Sequence, residues 1–186
     1  MHLFLAFFLS TVCALADGKV TSVVRTDYYE VSGNDVQALV SSMKKQRYFS
    51  HNAYTEWYVD WNYEFLTKPE KCILQSFDTR VQIRYTLPKW VSSKNTGNSL
   101  RDEWKRYMAA TTLHEQGHSA IGVAAAKEMV RLVNSKKWSA ANGKELRALL
   151  DKECEAILKQ FRDREVRYDV ETDHGRTQGA RIGSGE

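Results

Sequence analysis

The stretch AYTEWYVDWNYEF, residues Ala53–Phe65, decides the fold class by its alternation. Its odd-numbered positions from Thr55 onward carry Thr, Trp, Val, Trp, Tyr and Phe, whereas most even-numbered positions are polar or charged. Side chains of a β-strand point alternately to its two faces, so a period of two over this length predicts a strand with one buried face. A half-buried strand of this kind is typical of an antiparallel sheet. The regular spacing assigns the aromatic side chains of this stretch to the core.

The sequence on both sides extends this strand into a small sheet. Lys68–Glu70 contains a proline and predicts a turn. Phe77–Leu87 alternates in the same way and predicts a partner strand that ends at Pro88. Lys19–Gly33 is rich in β-branched and aromatic residues and predicts one or two further strands.

Three segments predict helices. Asn34–Gln46 has a short apolar face, with Ser32 or Asn34 as its N-cap. Apolar residues recur at helical spacing from Ser99 to about Val133, and again in the amphipathic segment Lys144–Asp169. Because the strands come first and the long helices follow, the predicted fold class is α+β, with a small antiparallel sheet followed by two long helices.

The first long helix carries the stretch TTLHEQGHSAIGVAAAKEM, residues Thr111–Met129. The spacing of His114 and His118 places both imidazoles on one face of the helix, with their Cβ atoms roughly 5–6 Å apart. Two imidazoles so placed can bind one zinc ion at about 2 Å per bond. Glu115 lies beside such an ion and can accept a proton from its bound water. We therefore predict a zinc site on this active-site helix, with Glu115 as the catalytic base.

A catalytic zinc ion needs a third protein ligand and an open fourth position. The same helix does not supply the ligand, because Glu128 lies about 15 Å further along the axis. Of the remaining histidines, His174 lies in the polar segment YDVETDHGRTQGA, whereas His51 precedes the aromatic strand. We favour His174 over His51 because its neighbours can support a ligand imidazole, and a carboxylate of the same segment is the alternative. The carboxylates that can accept hydrogen bonds from ligand imidazoles there are Asp169, Glu171 and Asp173.

The N-terminus indicates export. MHLFLAFFLSTVCALA is an apolar run too short to span a bilayer, and Ala14–Ala16 fits a signal-peptidase site. We therefore predict a signal peptide at residues 1–16, a single metallopeptidase-like domain at residues 17–180 and a flexible tail at residues 181–186. The expected location is periplasmic or secreted.

Composition argues against a nucleic-acid-binding protein, and the cysteine content predicts a disulfide. The chain of 186 residues is 42% hydrophobic and 27% charged, with a formal net charge of +4. Its basic residues are scattered among acidic ones, so the sequence lacks the continuous basic stripe that nucleic acid requires. Export would leave Cys72 and Cys154 in the mature chain. An even number of cysteines in an oxidising compartment predicts one disulfide.

The motifs LHEQGHSAIGVAAAKEM and YDVETDHGRTQGA, together with YTEW and YTLPKW, resemble those of a bacterial family of uncharacterised domains described as predicted secreted zinc-dependent proteases. The resemblance covers about Val20 to Ala180. It implies an exported zincin-like metallopeptidase without a known substrate. In this chain the H-E-x-G-H motif of the family falls on His114–His118, and its T-x-H-G motif falls on Thr172–Gly175.

The expected reaction is hydrolysis of a peptide bond by zinc-bound water, with Glu115 carrying the proton to the leaving amine. Tyr168 and Arg176 are candidates to stabilise the oxyanion. By analogy with zincins, the Arg80–Leu87 strand is a candidate to pair with the main chain of the substrate. We expect a peptide or protein substrate, no nucleic acid and no stable membrane insertion after signal cleavage.

Three alternatives stay open on the sequence alone. The chain could be a zinc hydrolase of another amide bond, such as one in the cell wall. It could be a non-catalytic exported binding module with a structural zinc ion. It could also remain attached to a membrane through an uncleaved N-terminus.

Overall fold

A computed structural model describes residues 18–46, 51–93 and 96–183 and confirms the α+β class. The predicted signal peptide and residues 184–186 of the predicted tail lie outside this part of the chain. The strands are β1 (Val20–Val31), β2 (Tyr54–Lys68), β3 (Lys71–Trp90) and the two-residue β4 (Ser139–Ala140). The helices are α1 (Val36–Gln46), α2 (Asn98–Asn134) and α3 (Gly143–Thr172), followed by a 3₁₀ turn at Arg176–Gln178. Among these helices, none combines the length and the apolarity needed to cross a bilayer.

The sheet is mixed, which corrects the prediction of an antiparallel sheet. Its strand order is β1-β3-β2, and β2 and β3 form the expected antiparallel hairpin. However, β1 runs parallel to β3, from the pair Val20 and Thr79 to the pair Val31 and Trp90. A parallel pair needs a long connection, and here α1 and β2 together provide it. The period of a single strand reveals its buried face but not the direction of its neighbour.

β3 continues through Pro88, although the sequence predicted that the strand ends there. The last residue of β3 that pairs with β2 is Thr86, opposite Tyr54. Pro88 therefore has a neighbour on one side only, opposite Tyr29 of β1. A proline is tolerated where its missing N–H removes no ladder bond.

The main core lies between the sheet and the two long helices, and the predicted alternation is confirmed. β2 and β3 turn their buried side chains toward α2 and α3. The small residues of α2 allow this close packing, since a Cβ atom on Gly122 would lie 2.7 Å from the ring of Trp57. The buried residues of this core include Trp57, Val59, Phe77, Val81, Ile83, Ile121, Ala125, Met129, Leu146, Leu150 and Ile157.

The ends of two helices differ from the predictions. Asp35 caps α1 in place of the neighbouring Asn34, because its Oδ1 accepts a hydrogen bond from the Ala38 amide at 2.8 Å. α3 extends to Thr172. The helix therefore ends three residues after the predicted end at Asp169, and the polar segment begins inside its last turn. Left-handed residues, beginning with Asp173, then reverse the chain.

The predicted disulfide is not formed. Cys72 lies on β3 and Cys154 on α3, and both are free thiols buried in the main core. Each packs as a small apolar side chain, as unpaired cysteines commonly do. Burial also raises the pKa of Cys154 to about 12, so its thiol stays protonated. An even count of cysteines in a sequence carries no information about the geometry that a disulfide needs.

Candidate metal centre

Three side chains from two helices meet in a triangle of nearly equal edges. His114 and His118 project from α2, and their Nε2 atoms are 3.2 Å apart. Asp169, on the last turn of α3, places its Oδ1 at 3.2 Å from Nε2 of His114 and 3.1 Å from Nε2 of His118. Zinc bonds of about 2 Å in tetrahedral geometry separate ligand atoms by about 3.3 Å. The triangle therefore matches three corners of a tetrahedral site, and these side chains could hold a metal ion.

The other nitrogen of each imidazole has an acceptor beside it. Nδ1 of His114 lies 3.0 Å from Oε1 of Gln178. Nδ1 of His118 lies 3.2 Å from Oε1 of Glu165, and the indole of Trp57 donates a hydrogen bond of 2.9 Å to the same oxygen. The acceptor at Nδ1 of His114 favours the tautomer that leaves its Nε2 free to bind a metal. Nδ1 of His118 makes no hydrogen bond of good geometry among the described residues, so its contact with Glu165 is electrostatic.

His174, the predicted third ligand, lies outside this triangle. Its Nδ1 is 3.5 Å from Oδ1 of Asp169, and about half of its side chain is exposed. Its ring faces that of His51, with 4.8 Å between the centroids. Asp169, which the sequence placed among supporting acceptors, lies at the third corner instead, because α3 packs against α2 with this carboxylate turned toward the two imidazoles.

Glu115, the predicted base, is buried beside the triangle. Its side chain is only 4% exposed, and Oε2 accepts a hydrogen bond of 2.5 Å from the hydroxyl of Thr55 on β2. Burial raises the pKa of Glu115 above its usual value, although the bond from Thr55 and the nearby imidazoles act in the opposite direction. The carboxylate is therefore fixed in position and is a better proton acceptor than an exposed one.

Carboxylates and imidazoles lie close together in this site, and their charges interact. Burial disfavours the charged forms of both His118 and Asp169, but the contact between the two side chains favours these charged forms more strongly. With Glu165 adding to the effect, the pKa of His118 rises to about 9. The imidazoles hold the pKa of Asp169 well below its usual range. A proton on His118 offsets one of the nearby carboxylates, and a divalent ion bound in place of that proton would balance a second one.

The triangle opens into a cleft of about 960 Å³. Consecutive residues of β2, from Tyr54 to Tyr58, all line the cleft although their side chains alternate between the two faces. The cleft therefore runs along the edge of β2, which is a terminal strand of the sheet. By contrast, the segment Arg80–Leu87 lies on the central strand β3, with β1 and β2 on its two sides. The prediction that this segment pairs with a substrate is wrong for that reason.

The two candidates for stabilising an oxyanion lie on different sides of α2. The hydroxyl of Tyr168 donates a hydrogen bond of 3.2 Å to the carbonyl of His114, and its ring stacks on that imidazole. Tyr168 lines a second hollow on the other side of the helix, together with Gly117. Arg176 does line the cleft, where its Nε lies 3.2 Å from Asp173.

Sequence reasoning missed most residues that support the triangle. Glu165 lies one helical turn before Asp169, a spacing that becomes informative only once Asp169 is known to face α2. Thr55 and Trp57 were assigned to a buried strand face, which is confirmed, but their polar atoms serve the site as well. No pattern in the sequence singles out Gln178.

Comparison with known proteins places the chain in a family without assigning an activity. No curated protein and no solved structure matches it. One family model, described as "Bacterial protein of unknown function (DUF922)", matches residues 26–175. This span contains the metal triangle, Glu115 and both flanking histidines. The chain therefore belongs to DUF922, a bacterial family of unknown function.

Proposed function

We propose that this protein is an exported zinc-dependent peptidase in which His114, His118 and Asp169 hold the zinc ion. The observation that carries the proposal is the triangle of ligand atoms with edges of 3.1–3.2 Å, open to a large cleft. Two imidazoles and a carboxylate are a ligand set typical of catalytic zinc. Bound there, zinc supplies Lewis-acid activation of water and of the substrate carbonyl.

Glu115 is the proposed general base. It accepts a proton from the attacking water and passes that proton to the leaving amine. Thr55 holds the carboxylate in one orientation, and burial keeps its pKa raised, so the proton can be both taken up and released. Arg176, which lines the same cleft, is our candidate to stabilise the oxyanion.

The proposed substrate is an extended peptide that lies along the edge of β2. Residues Tyr54–Tyr58 line the cleft, and an extended peptide can pair with a terminal strand such as β2 through backbone hydrogen bonds. The proposed signal peptide at residues 1–16 would deliver the domain of residues 17–180 to a periplasmic or secreted location.

The open cleft favours a catalytic role over a structural one. Structural zinc sites are closed by four protein ligands, whereas catalytic sites keep one position free. Among the described residues, the triangle supplies three ligand atoms beside a space large enough for a substrate.

Replacing the base tests the proposal directly. In Glu115→Gln we expect the zinc content to stay at the wild-type level, while hydrolysis of a denatured protein substrate falls by about 10²–10⁴-fold. Glu128→Gln is the matched control, since it changes the same residue type on the same helix at a partly exposed pair with Arg131. Full hydrolysis by Glu115→Gln would contradict the proposal. Cleavage of peptidoglycan, with peptides left intact, would favour the cell-wall alternative instead.

A further inference from the structure

In the described part of the chain, β1 forms an edge of the sheet with no strand beyond it. It is a terminal strand, and its twelve residues pair with β3 in an unbroken register. The carbonyls of the odd-numbered residues Lys19 and Val31 accept hydrogen bonds of 2.8 Å from backbone amides on the β3 side. Backbone groups point to alternate sides of a strand, so the even-numbered residues from Val20 to Tyr28 direct their N–H and C=O groups away from β3. This row of groups is the open edge of β1.

The open edge lacks the features that usually protect a terminal strand. Proline, bulges and unpaired charges commonly keep such a strand from pairing with another chain. Residues 20–28 contain no proline and no bulge, and their two charged side chains, Arg25 and Asp27, pair with each other at 2.8 Å. By contrast, a shift of register between Glu64 and Phe65 interrupts β2, at the other edge of the sheet. β1 is therefore the edge that is better suited to pairing with another strand.

Large apolar side chains are exposed along the same strand. Val24 is 56% exposed and Tyr28 is 60% exposed. Their partners on β3, Ile83 and Leu87, are buried, so this face of the sheet is covered at β3 but not at β1. Among the described residues of β1, only Val20 packs against the main core. A second strand beside β1 would remove some of this apolar surface from water.

One antiparallel register between two copies of β1 matches both charge and apolarity. In this register Thr26 lies opposite its own copy on a two-fold axis. Arg25 then lies opposite Asp27 of the partner subunit, and Val24 lies opposite Tyr28 of the partner subunit. Pairs of opposite charge, and pairs of an aromatic with a β-branched side chain, stabilise antiparallel strands. An axis through Arg25 or Asp27 would instead place like charges opposite each other, so charge selects the register centred on Thr26.

We propose that this protein forms a two-fold homodimer in which β1 pairs antiparallel with β1 of a second copy along the open edge. One continuous sheet then runs β2-β3-β1 in the first copy and β1-β3-β2 in the second. The exposed Val24 and Tyr28 of each copy cover those of the other, and Arg25 and Asp27 form ion pairs between the copies. The cleft of the metal triangle lies along β2, at the opposite edge, so both clefts stay open in the dimer.

Sedimentation of the purified protein over a range of concentrations tests the dimer. We expect the wild type to dimerise in a concentration-dependent way. Arg25→Asp and Asp27→Lys should each raise the dissociation constant by roughly tenfold or more, because each places like charges opposite each other twice. An equimolar mixture of the two variants should dimerise again, since opposite charges then meet between the copies. Arg80→Asp, at an exposed position of β3, is the control and should dimerise as the wild type does.

Crosslinking tests the register. Thr26→Cys should form a disulfide between two copies on mild oxidation, because residues opposite each other in antiparallel strands have Cα atoms about 5.5 Å apart. Ser22→Cys is the control and should not, because its two copies would lie about 27 Å apart along the paired strands. A monomer at every concentration would overturn the proposal. A dimer that is unchanged by Arg25→Asp, or that crosslinks through Thr26→Cys no faster than through Ser22→Cys, would overturn it as well.

Discussion

At the scale of single residues, the contacts of Gly117 explain why the H-E-x-G-H motif contains a glycine. A Cβ atom at this position would overlap the hydroxyl of Tyr168. Tyr168 stacks on His114 at 5.1 Å between centroids and meets His118 edge-on at the same distance. The glycine of the motif leaves space beside the helix, but the sequence does not show which side chain occupies that space. The partner comes from α3, and no local spacing reveals it.

Gly117→Ala tests this close approach. Alanine normally stabilises a helix by about 1 kcal/mol relative to glycine. Here we expect the opposite, a loss of roughly 1–3 kcal/mol in the free energy of unfolding, because Tyr168 must move. Urea denaturation measures the change. Gly97→Ala is the control, since a Cβ atom there meets nothing within 4 Å. A gain in stability for Gly117→Ala would show that Tyr168 does not pack against this face.

At the scale of elements, the sequence predicted the strand faces and the long helices well. The alternation in Ala53–Phe65 depends on local periodicity, and β2 has the expected buried side chains. The parallel direction of β1 and the full length of α3 depend on contacts that are distant in sequence. The packing of α3 on α2 matters most for the site, because the predicted helix already contained Asp169 but did not show that this carboxylate faces the two imidazoles.

A substitution at the N-terminus of α3 tests the stability of this helix independently of the metal site. Asn142 caps the helix, and its Oδ1 accepts a hydrogen bond of 3.0 Å from the Glu145 amide. We expect Asn142→Ala to lower the free energy of unfolding by about 1 kcal/mol, with zinc affinity unchanged, because the cap is at the other end of the helix. Thermal unfolding of the zinc-free protein measures the loss, and Glu155→Ala at an exposed position of the same helix is the control. An unchanged melting temperature would contradict the assigned cap.

At the scale of the whole molecule, the site exists because the fold joins β2, α2, α3 and the chain after α3 around one cleft. Local spacing was enough to group His114, His118 and Glu115 as candidates, and the two imidazoles do face each other. The third ligand atom could not be chosen from the sequence, because His174 and Asp169 lie in the same segment and only the docking of α3 on α2 separates them. Contacts in the core could not be predicted from the sequence either. The disulfide between the two cysteines was predicted from their number alone.

The reactivity of the thiols tests whether Cys72 and Cys154 are free in the core. We expect both Cys72 and Cys154 to react with a thiol reagent when the protein is unfolded in denaturant without reductant, because both are free. In the folded protein, both should react slowly with an aromatic disulfide reagent, since they are buried and the pKa of Cys154 is raised to about 12. Absence of thiols after denaturation would indicate a disulfide and would contradict the structure of the core.

The central claim is that Asp169 completes the metal centre begun by His114 and His118. Its most direct test is the zinc affinity of Asp169→Asn, measured by competition with a chelator. Asp163→Asn serves as the matched control on the same helix, because Asp163 is exposed and pairs only with Lys159 in the described residues. Loss of a supporting partner of a zinc ligand typically costs 10–100-fold in affinity, so loss of a direct ligand should exceed about a hundredfold. Equal zinc affinities for the Asp169 and Asp163 variants would contradict the claim.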